Sequence, residues 1–170
     1  DLTTEINAVN DAPSFASGAN LSNLAERDTT SSGETVDSLL GGSNFQDLKE
    51  TAADAFAGIA VVSNTADATT QGTWEFSSNG TDWAAIGPAS TTAAILIDKD
   101  SRLRFVPFGS YNGDPPELTV HAVEDSTEDV FSTSPPTVSR QDFDTTTDSE
   151  VTSYVSHTGV AVGITVTPVN

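Results

Sequence analysis

Short strand-like runs recur along this chain at close intervals. Each run is rich in β-branched, aromatic or small apolar residues, and Gly, Pro, Asn or Asp separates it from the next. The pattern predicts strands at Gly58–Ser63, Gly72–Ser77, Trp83–Ile86, Ala94–Ile97, Arg102–Val106, Glu117–Val123, Thr137–Ser139, Val151–Ser156 and Gly159–Thr167. Strands at this spacing predict an all-β fold, a β-sandwich of the immunoglobulin or cadherin type elaborated by long loops.

Two local signals refine this picture. Asn79-Gly80 is a hairpin turn signal between two strand candidates, and Trp74 is predicted to lie in the core because it shares a strand face with Phe76. Residues 44–56 place apolar side chains at helical spacing behind a possible N-cap, Asn44, and predict one short helix or an irregular turn. The acidic, Ser/Thr-rich stretches 124–129 and 141–150 are predicted loops.

The two ends of the chain resemble each other. Residues 1–10 and 160–170 both alternate apolar and polar residues and end in Val-Asn. We therefore expect a segment of a tandem array, in which residues 1–10 are the end strand or linker of a preceding repeat. Residues 11–170 are then a single β-sandwich module.

An excess of acid over base restricts the partners of this chain. Asp and Glu number 25 against 6 Lys and Arg, and the formal net charge is −19. Such a surface repels phosphate backbones and anionic lipids, which argues against nucleic acid or membrane insertion. The acids either form a solvated surface or chelate a hard divalent cation, Ca²⁺ first. The chain has no Cys, and a secreted module without disulfides needs another stabilising device, of which bound metal is a common one.

Acidic residues in predicted turns are the candidate metal ligands. Asp98 and Asp100 flank Lys99 in one turn, where two carboxylates can converge on a cation or form ordinary Asx hydrogen bonds. Asp11, Glu26 and Asp28 form a second group, although Arg27 could pair with the acids beside it. Asp125, near a strand end, completes the set of predicted calcium ligands.

Polar loops carry the candidate ligand contacts. Ser110, Tyr111 and Asn112 precede Gly113 in a loop with an aromatic ring and hydrogen-bonding groups. Asp82 and Trp83 follow the predicted hairpin turn, where Trp83 either walls a pocket or belongs to the core.

Catalysis would have to use one of two histidines, His121 or His157. There is no Gly-x-Ser-x-Gly elbow, and the two histidines lack zinc spacing. In so acidic a chain, the sequence does not exclude two carboxylates at the spacing that a glycosidase uses. We predict that the chain is not an enzyme.

Several of these segments together resemble one protein family. Val9-Asn10-Asp11-Ala12-Pro13 is similar to linkers between cadherin-like repeats of giant bacterial surface proteins. Residues 55–61, the Gly72–Ser77 strand, Trp83 and Leu103-Arg104-Phe105-Val106-Pro107 before Tyr111-Asn112-Gly113 resemble the peptide-binding domain of RTX adhesins. The glycine-rich nonapeptide repeat of RTX proteins is absent from this sequence.

The resemblance implies a calcium-stabilised, extracellular module on a bacterial cell surface. It would bind the C-terminus of a peptide or protein on a host or neighbouring cell, as a monomeric module contacting the neighbouring repeats of its own chain. A purely structural spacer is the first alternative, although this unit exceeds the roughly 100 residues that an immunoglobulin-type spacer needs. A carbohydrate-binding module is the second alternative.

Overall fold

The computed structural model describes residues 11–47, 55–125, 130–147 and 154–170. The predicted strand or linker at residues 1–10 lies outside this part. The strands are β1 Ser14–Phe15, β2 Ala19–Asn20, β3 Leu24–Ala25, β4 Glu34–Thr35, β5 Phe45–Gln46, β6 Phe56–Ser63, β7 Gly72–Ser77, β8 Ala84–Ala85, β9 Ala94–Asp98, β10 Arg102–Pro107, β11 Leu118–Glu124, β12 Asp142–Phe143, β13 Val160–Gly163 and β14 Val166–Thr167; helix α1 is Val36–Leu40. The chain is all-β and sandwich-like, as the sequence predicts.

A six-stranded sheet in the order β12-β9-β6-β11-β13-β2 forms the centre of the fold. Its inner strands are apolar at successive positions because both of their faces are buried. On β6, Ile59 and Val61 belong to the larger core, whereas Ala60 and Val62 belong to a smaller one on the opposite face. Strand β9 divides in the same way. The smaller core is completed by Phe131, Phe143 and Tyr154, so segments after β11 cover the outer face of this sheet.

A four-stranded sheet in the order β4-β10-β7-β8 packs on the other face of the larger core. Its buried and half-buried residues alternate along β7 and β10, as expected for a sheet with one covered face. Trp74 and Phe105 are directly paired and fully buried, with their ring centroids 5.3 Å apart. The prediction that Trp74 belongs to the core is confirmed.

Three arginines attach loops to these sheets. Arg102 donates to the carbonyls of Ser32 and Gly33, and Arg104 donates to that of Ser31. Arg140 donates to the carbonyls of Ile86 and Pro88. Because a guanidinium offers several N–H groups in a fixed fork, one side chain satisfies several loop carbonyls at once. Half of the six basic residues therefore have a structural role.

Some sequence predictions differ from the structure. Residues 137–139 are not a strand: Ser139 makes an isolated bridge with Thr133 across a turn. The predicted helix at 44–56 is not present at its start, since Phe45–Gln46 is strand β5, and its middle, 48–54, lies outside the described residues. Within the described residues an α-helix forms at α1, where the Thr35 hydroxyl caps it by accepting from the Ser38 N–H. Five residues are too few to give a helical period in the sequence.

The Asn79-Gly80 hairpin is confirmed, with β7 and β8 antiparallel. Its loop is longer than the two-residue turn that Asn-Gly favours, because Asn79 Oδ1 accepts from the backbone N–H groups of both Thr81 and Asp82.

The predicted strand at 159–167 is divided into β13 and β14, which pair in parallel with β2 and β3. The described part of the chain contains no helix long and apolar enough to cross a membrane.

Candidate functional site

The Ser110–Asn112 loop is positioned by the end of β10 and by β14. Tyr111 donates its N–H to Phe108 O, and Gly113 exchanges two backbone hydrogen bonds with Val166. The ring of Tyr111 packs on the larger core. Partial burial, and secondarily the Asp114 carboxylate, raise the pKa of the Tyr111 hydroxyl above its usual value of 10.0. At neutral pH the hydroxyl therefore keeps its proton and can donate a hydrogen bond.

A predicted ligand residue and a predicted metal residue meet at this loop. The Asn112 side-chain amide donates to the Glu26 carboxylate at 3.3 Å, although the two residues are 86 positions apart in sequence. The backbone N–H of Glu26 donates to Thr167 O beside the β3–β14 pair, and this hydrogen bond positions Glu26. Asn112 also donates to Ser110 O, which fixes the amide orientation.

Asp82 and Trp83 lie apart from this loop, at the other end of β10. The guanidinium of Arg104 stacks 4.0 Å from the centroid of the Trp83 ring, and the same group forms a 2.7 Å ion pair with Glu75. The sequence left open whether Trp83 walls a pocket or belongs to the core. In the structure Trp83 is half-buried, which is intermediate between these two positions. Asp82 accepts from Asn79 and Thr81 within the hairpin loop.

Residues 26–34 connect the two groups of predicted ligand residues. Glu26 contacts Asn112 at one end of this segment, Ser31 receives Arg104 near its middle, and Gly33 abuts the Trp83 ring at the other end. Gly33 has a φ of 61° and stands where a Cβ would lie 2.3 Å from Leu103 O, so this position requires glycine. The segment lies along one side of the four-stranded sheet.

An open depression of about 320 Å³ is lined by Asn23 and Asp114, which lie three residues before Glu26 and two residues after Asn112 in the chain. We call it the amide–acid cleft; its side-chain oxygens come from Asn20, Asn23, Asp114, Glu117 and Thr165. Thr165 donates its hydroxyl to Asp114 at 2.7 Å. A Cβ on Gly163 would lie 2.7 Å from Asn20 Oδ1 and 2.9 Å from Glu117 Oε1, so the bare glycine leaves room for both oxygens. Sequence reasoning missed these residues; the acids flanking Pro115-Pro116 were the available signal.

A second depression of about 320 Å³ adjoins the cleft and shares Asn23 and Ile164 with it. It contains the predicted metal residue Asp28 together with Glu34. Both carboxylates already accept hydrogen bonds: Asp28 from Thr30 and Glu34 from the Ser22 N–H. The backbone and hydroxyl hydrogen bonds from Thr30 lower the pKa of Asp28 below 3.8. Its carboxylate is therefore ionised at neutral pH.

Asp98 is the last residue of β9, and Asp100 lies in the turn that leads to β10. Asp98 Oδ1 accepts the Asp100 N–H at 2.7 Å, which is the Asx hydrogen bond that the sequence offered as an alternative to metal. The same geometry recurs in Asp28-Thr29-Thr30, Asp67-Ala68-Thr69, Asn79-Gly80-Thr81 and Asp144-Thr145-Thr146, where the side-chain oxygen accepts from the backbone and hydroxyl of the third residue. Asp28, Asp67, Asp98 and Asp144 thus stabilise their own turns.

Asp125 lies beside Ala55, the residue before Phe56, whose ring packs with those of Phe15 and Phe45. Its carboxylate accepts the Ala55 N–H at 2.7 Å. Asp47 follows Phe45 by two residues and Glu124 pairs with Phe56; these two carboxylic acids are 8% and 1% exposed. Asp11, half-buried, precedes Phe15 by four residues.

Oxygen donors of this kind suit a hard cation. Ca²⁺ takes six to eight oxygens from carboxylates, amides, backbone and water. Among the described residues, no group of three or more Asp, Glu or His side chains is arranged to hold a metal ion. Calcium in the amide–acid cleft would therefore be held by Asp114, Glu117 and Asn20, with its other ligands from backbone or water. The two-acid composition of the cleft fits that mixed coordination.

The two histidines do not share a site with these acids in the described structure. His121 is buried on β11, and its Nδ1 contacts the Ser156 carbonyl oxygen. Burial lowers the pKa of His121 below 6.5, whereas the contact with Ser156 O opposes that shift. His157 is exposed. The absence of catalysis stays a prediction.

Comparison with protein-family models, with curated proteins and with solved structures finds no match to this chain.

Proposed function

We propose that this chain is a calcium-dependent binding module of an extracellular bacterial adhesin, of the RTX peptide-binding type, and that it takes the C-terminus of a peptide or protein at the amide–acid cleft. The observation that carries the proposal is the hydrogen bond between Glu26 and Asn112. It joins one residue predicted to bind metal to one predicted to contact ligand, beside a cleft lined with oxygen donors.

Electrostatics gives calcium a specific role in this proposal. With a net charge of −19, the module repels a peptide carboxylate unless a local positive centre is present. A Ca²⁺ ion held by part of its ligands supplies that centre, and a carboxylate can replace one of its waters. The Tyr111 hydroxyl is a donor for the peptide backbone. Both N–H groups of the Asn112 amide already donate to Glu26 and to Ser110 O, so the side-chain oxygen of Asn112 is the group left to accept from the peptide.

The test is a peptide library screened against the module in two forms, free acid and C-terminally amidated, with calcium or with EDTA. We expect binding of the free-acid forms in calcium alone. Affinity for a short flexible peptide is expected to be modest because the peptide loses conformational freedom, and many module copies would offset this by avidity.

A matched pair of double variants tests the position. Asp114→Asn with Glu117→Gln removes two charges from the cleft, and Asp67→Asn with Asp144→Asn removes two charges from turns that do not line it. Asn retains the acceptor oxygen that Thr165, Thr69 and Thr146 use. We expect the first variant to lose peptide binding and the second to keep it. Equal binding of amidated and free-acid peptides, or no binding of any peptide, would contradict the proposed C-terminus binding and favour a structural spacer.

A further inference from the structure

The strand that covers the outer edge of β11 is interrupted opposite His121. Strand β13 pairs with Leu118, Thr119 and Val120, and the ladder resumes farther along, where Val155 bridges Val123 and Glu124 donates to Tyr154 O at 3.1 Å. Ser156 belongs to the second stretch, since its N–H donates to Ala122 O at 2.9 Å, and residues 157–159 form the turn between the two stretches. The gap therefore leaves backbone groups that need side-chain partners.

Two buried side chains supply those partners. Ser156 Oγ accepts the Ala122 N–H at 2.8 Å and donates to Thr158 O at 3.1 Å. His121 Nδ1 contacts the Ser156 carbonyl oxygen. A carbonyl oxygen only accepts, so Nδ1 must carry the proton, and in the neutral ring Nε2 is then the unprotonated nitrogen.

The surroundings of Nε2 do not favour a second proton. The imidazole is 9% exposed, and Nε2 faces Gly159 so closely that a Cβ there would lie 3.1 Å away. Strand β6 presents Ala60 opposite His121, and β13 presents apolar residues. Among the described residues, the charged group acting on the ring is His157, which is of like sign when protonated. An imidazolium at this position would be buried beside a glycine and a potential second cation.

We propose that His121 is an acid-sensitive latch: protonation of its imidazole releases residues 154–159 from β11. Release removes Val155 and Tyr154 from the smaller core, which holds the outer layer of the sandwich on the six-stranded sheet. The inference is independent of the peptide-binding proposal, because the latch involves neither the cleft nor residues 26–34.

The stability that the latch contributes falls as the pH is lowered, because the folded state disfavours the charged imidazole. Burial lowers the pKa of His121 below its unfolded value of 6.5. The latch therefore contributes its full stability above pH 6.5 and loses it as the pH falls from there through the folded pKa. Within that window, one proton taken up on opening increases the opening constant about tenfold per pH unit.

Amide hydrogen exchange followed by NMR measures this opening at the Ala122, Glu124 and Ser156 N–H groups. Two single-histidine variants provide the comparison. His121→Gln keeps an N–H donor for Ser156 O but does not titrate, so its opening constant is expected to be flat between pH 5 and 6.5. The exposed histidine is the control, and His157→Asn is expected to keep the wild-type slope.

A slope that persists in His121→Gln, or one that disappears in His157→Asn, overturns the proposal. The wild type gives an independent readout should His121→Gln fail to fold. The chain has two histidines, so their imidazole signals can be assigned directly. The His121 resonance is expected to titrate below 6.5, together with the loss of the Ser156 amide protection. A His121 signal that titrates at 6.5 or above excludes the latch.

Discussion

The Asp98–Asp100 turn and the Glu26–Asn112 contact are both rich in side-chain oxygen, but they use it differently. In the turn, one carboxylate oxygen of Asp98 accepts an N–H from two residues away. At the contact, Glu26 and Asn112 are brought together from distant parts of the chain, beside a cleft whose oxygens come from β2, the loop before β11 and the link between β13 and β14.

The difference shows why neighbouring acids in a sequence are weak indicators of a site. A carboxylate two residues before a free N–H finds a partner without any tertiary structure, and the turn forms whether or not a cation is present. Oxygens that converge from separate strands are held by the fold itself. Their convergence is the arrangement that a cation or a ligand can use.

The largest expected effect distinguishes calcium binding from a merely solvated surface. In millimolar Ca²⁺ the melting temperature is expected to exceed that in EDTA by roughly 5–10 °C, since one site at a hundredfold excess over its Kd contributes about 2.7 kcal/mol. Differential scanning calorimetry measures it, with Mg²⁺ as the control cation. Coincident melts in calcium and EDTA would mean that neither region holds the ion.

Arg104→Met tests whether the 26–34 segment depends on the sheet for its position. The side chain of Arg104 is 15% exposed, pairs with Glu75 and donates to Ser31 O. Its loss is expected to cost about 1–3 kcal/mol in the free energy of unfolding, because Glu75 and the loop carbonyl lose a charged donor. Urea denaturation measures the loss.

Arg27→Met is the matched control for that variant, since Arg27 is exposed and the substitution removes the same charge. We expect it to change stability by less than about 0.5 kcal/mol. If both variants lose the same stability, the effect of Arg104 is one of net charge and not of loop attachment.

The two regions can be compared directly by calcium titration. Asp114→Asn with Glu117→Gln is expected to weaken calcium affinity about tenfold or more, equivalent to about 1.4 kcal/mol. Asp98→Asn with Asp100→Asn removes the same charge from the turn and is expected to weaken it less. Isothermal titration calorimetry of both variants decides the order. A larger loss in the turn variant would place the ion there, as the sequence alone had predicted.

The smallest effect concerns the Asp-x-Thr turns. Hydrogen bonds from the hydroxyl and then the backbone of Thr69 lower the pKa of Asp67 below 3.8, and Thr146 acts in the same way on Asp144. Each turn is therefore stabilised above pH 3.8 and loses that contribution as the pH falls through the folded pKa. Thr69→Ala is expected to raise the Asp67 pKa toward 3.8 in an NMR titration, whereas Thr69→Ser keeps the hydroxyl and the low value. An unchanged pKa in Thr69→Ala would contradict the assignment.

Local patterns of the sequence determined the longer strands and their faces. Gly72–Ser77 was predicted at its observed bounds, and the double burial of β6 follows from its unbroken apolar run, because a strand buried on both faces has no polar side. The Asx turns were also readable, since their partners lie two residues apart. Patterns of this range carry information because the backbone period and the turn geometry are fixed within a few residues.

Tertiary structure decided which oxygens come together and which histidine is buried. Asn20 on β2 lies far in sequence from Asp114 and Glu117 in the loop before β11, and no periodicity relates them. In the sequence, His121 is an ordinary polar position of an alternating strand. In the structure, the neighbouring strand is interrupted there, and the imidazole contacts a backbone carbonyl instead. Contacts of this kind depend on the pairing of strands distant in sequence, and that pairing is selected by burial of the whole apolar surface and not by any local segment.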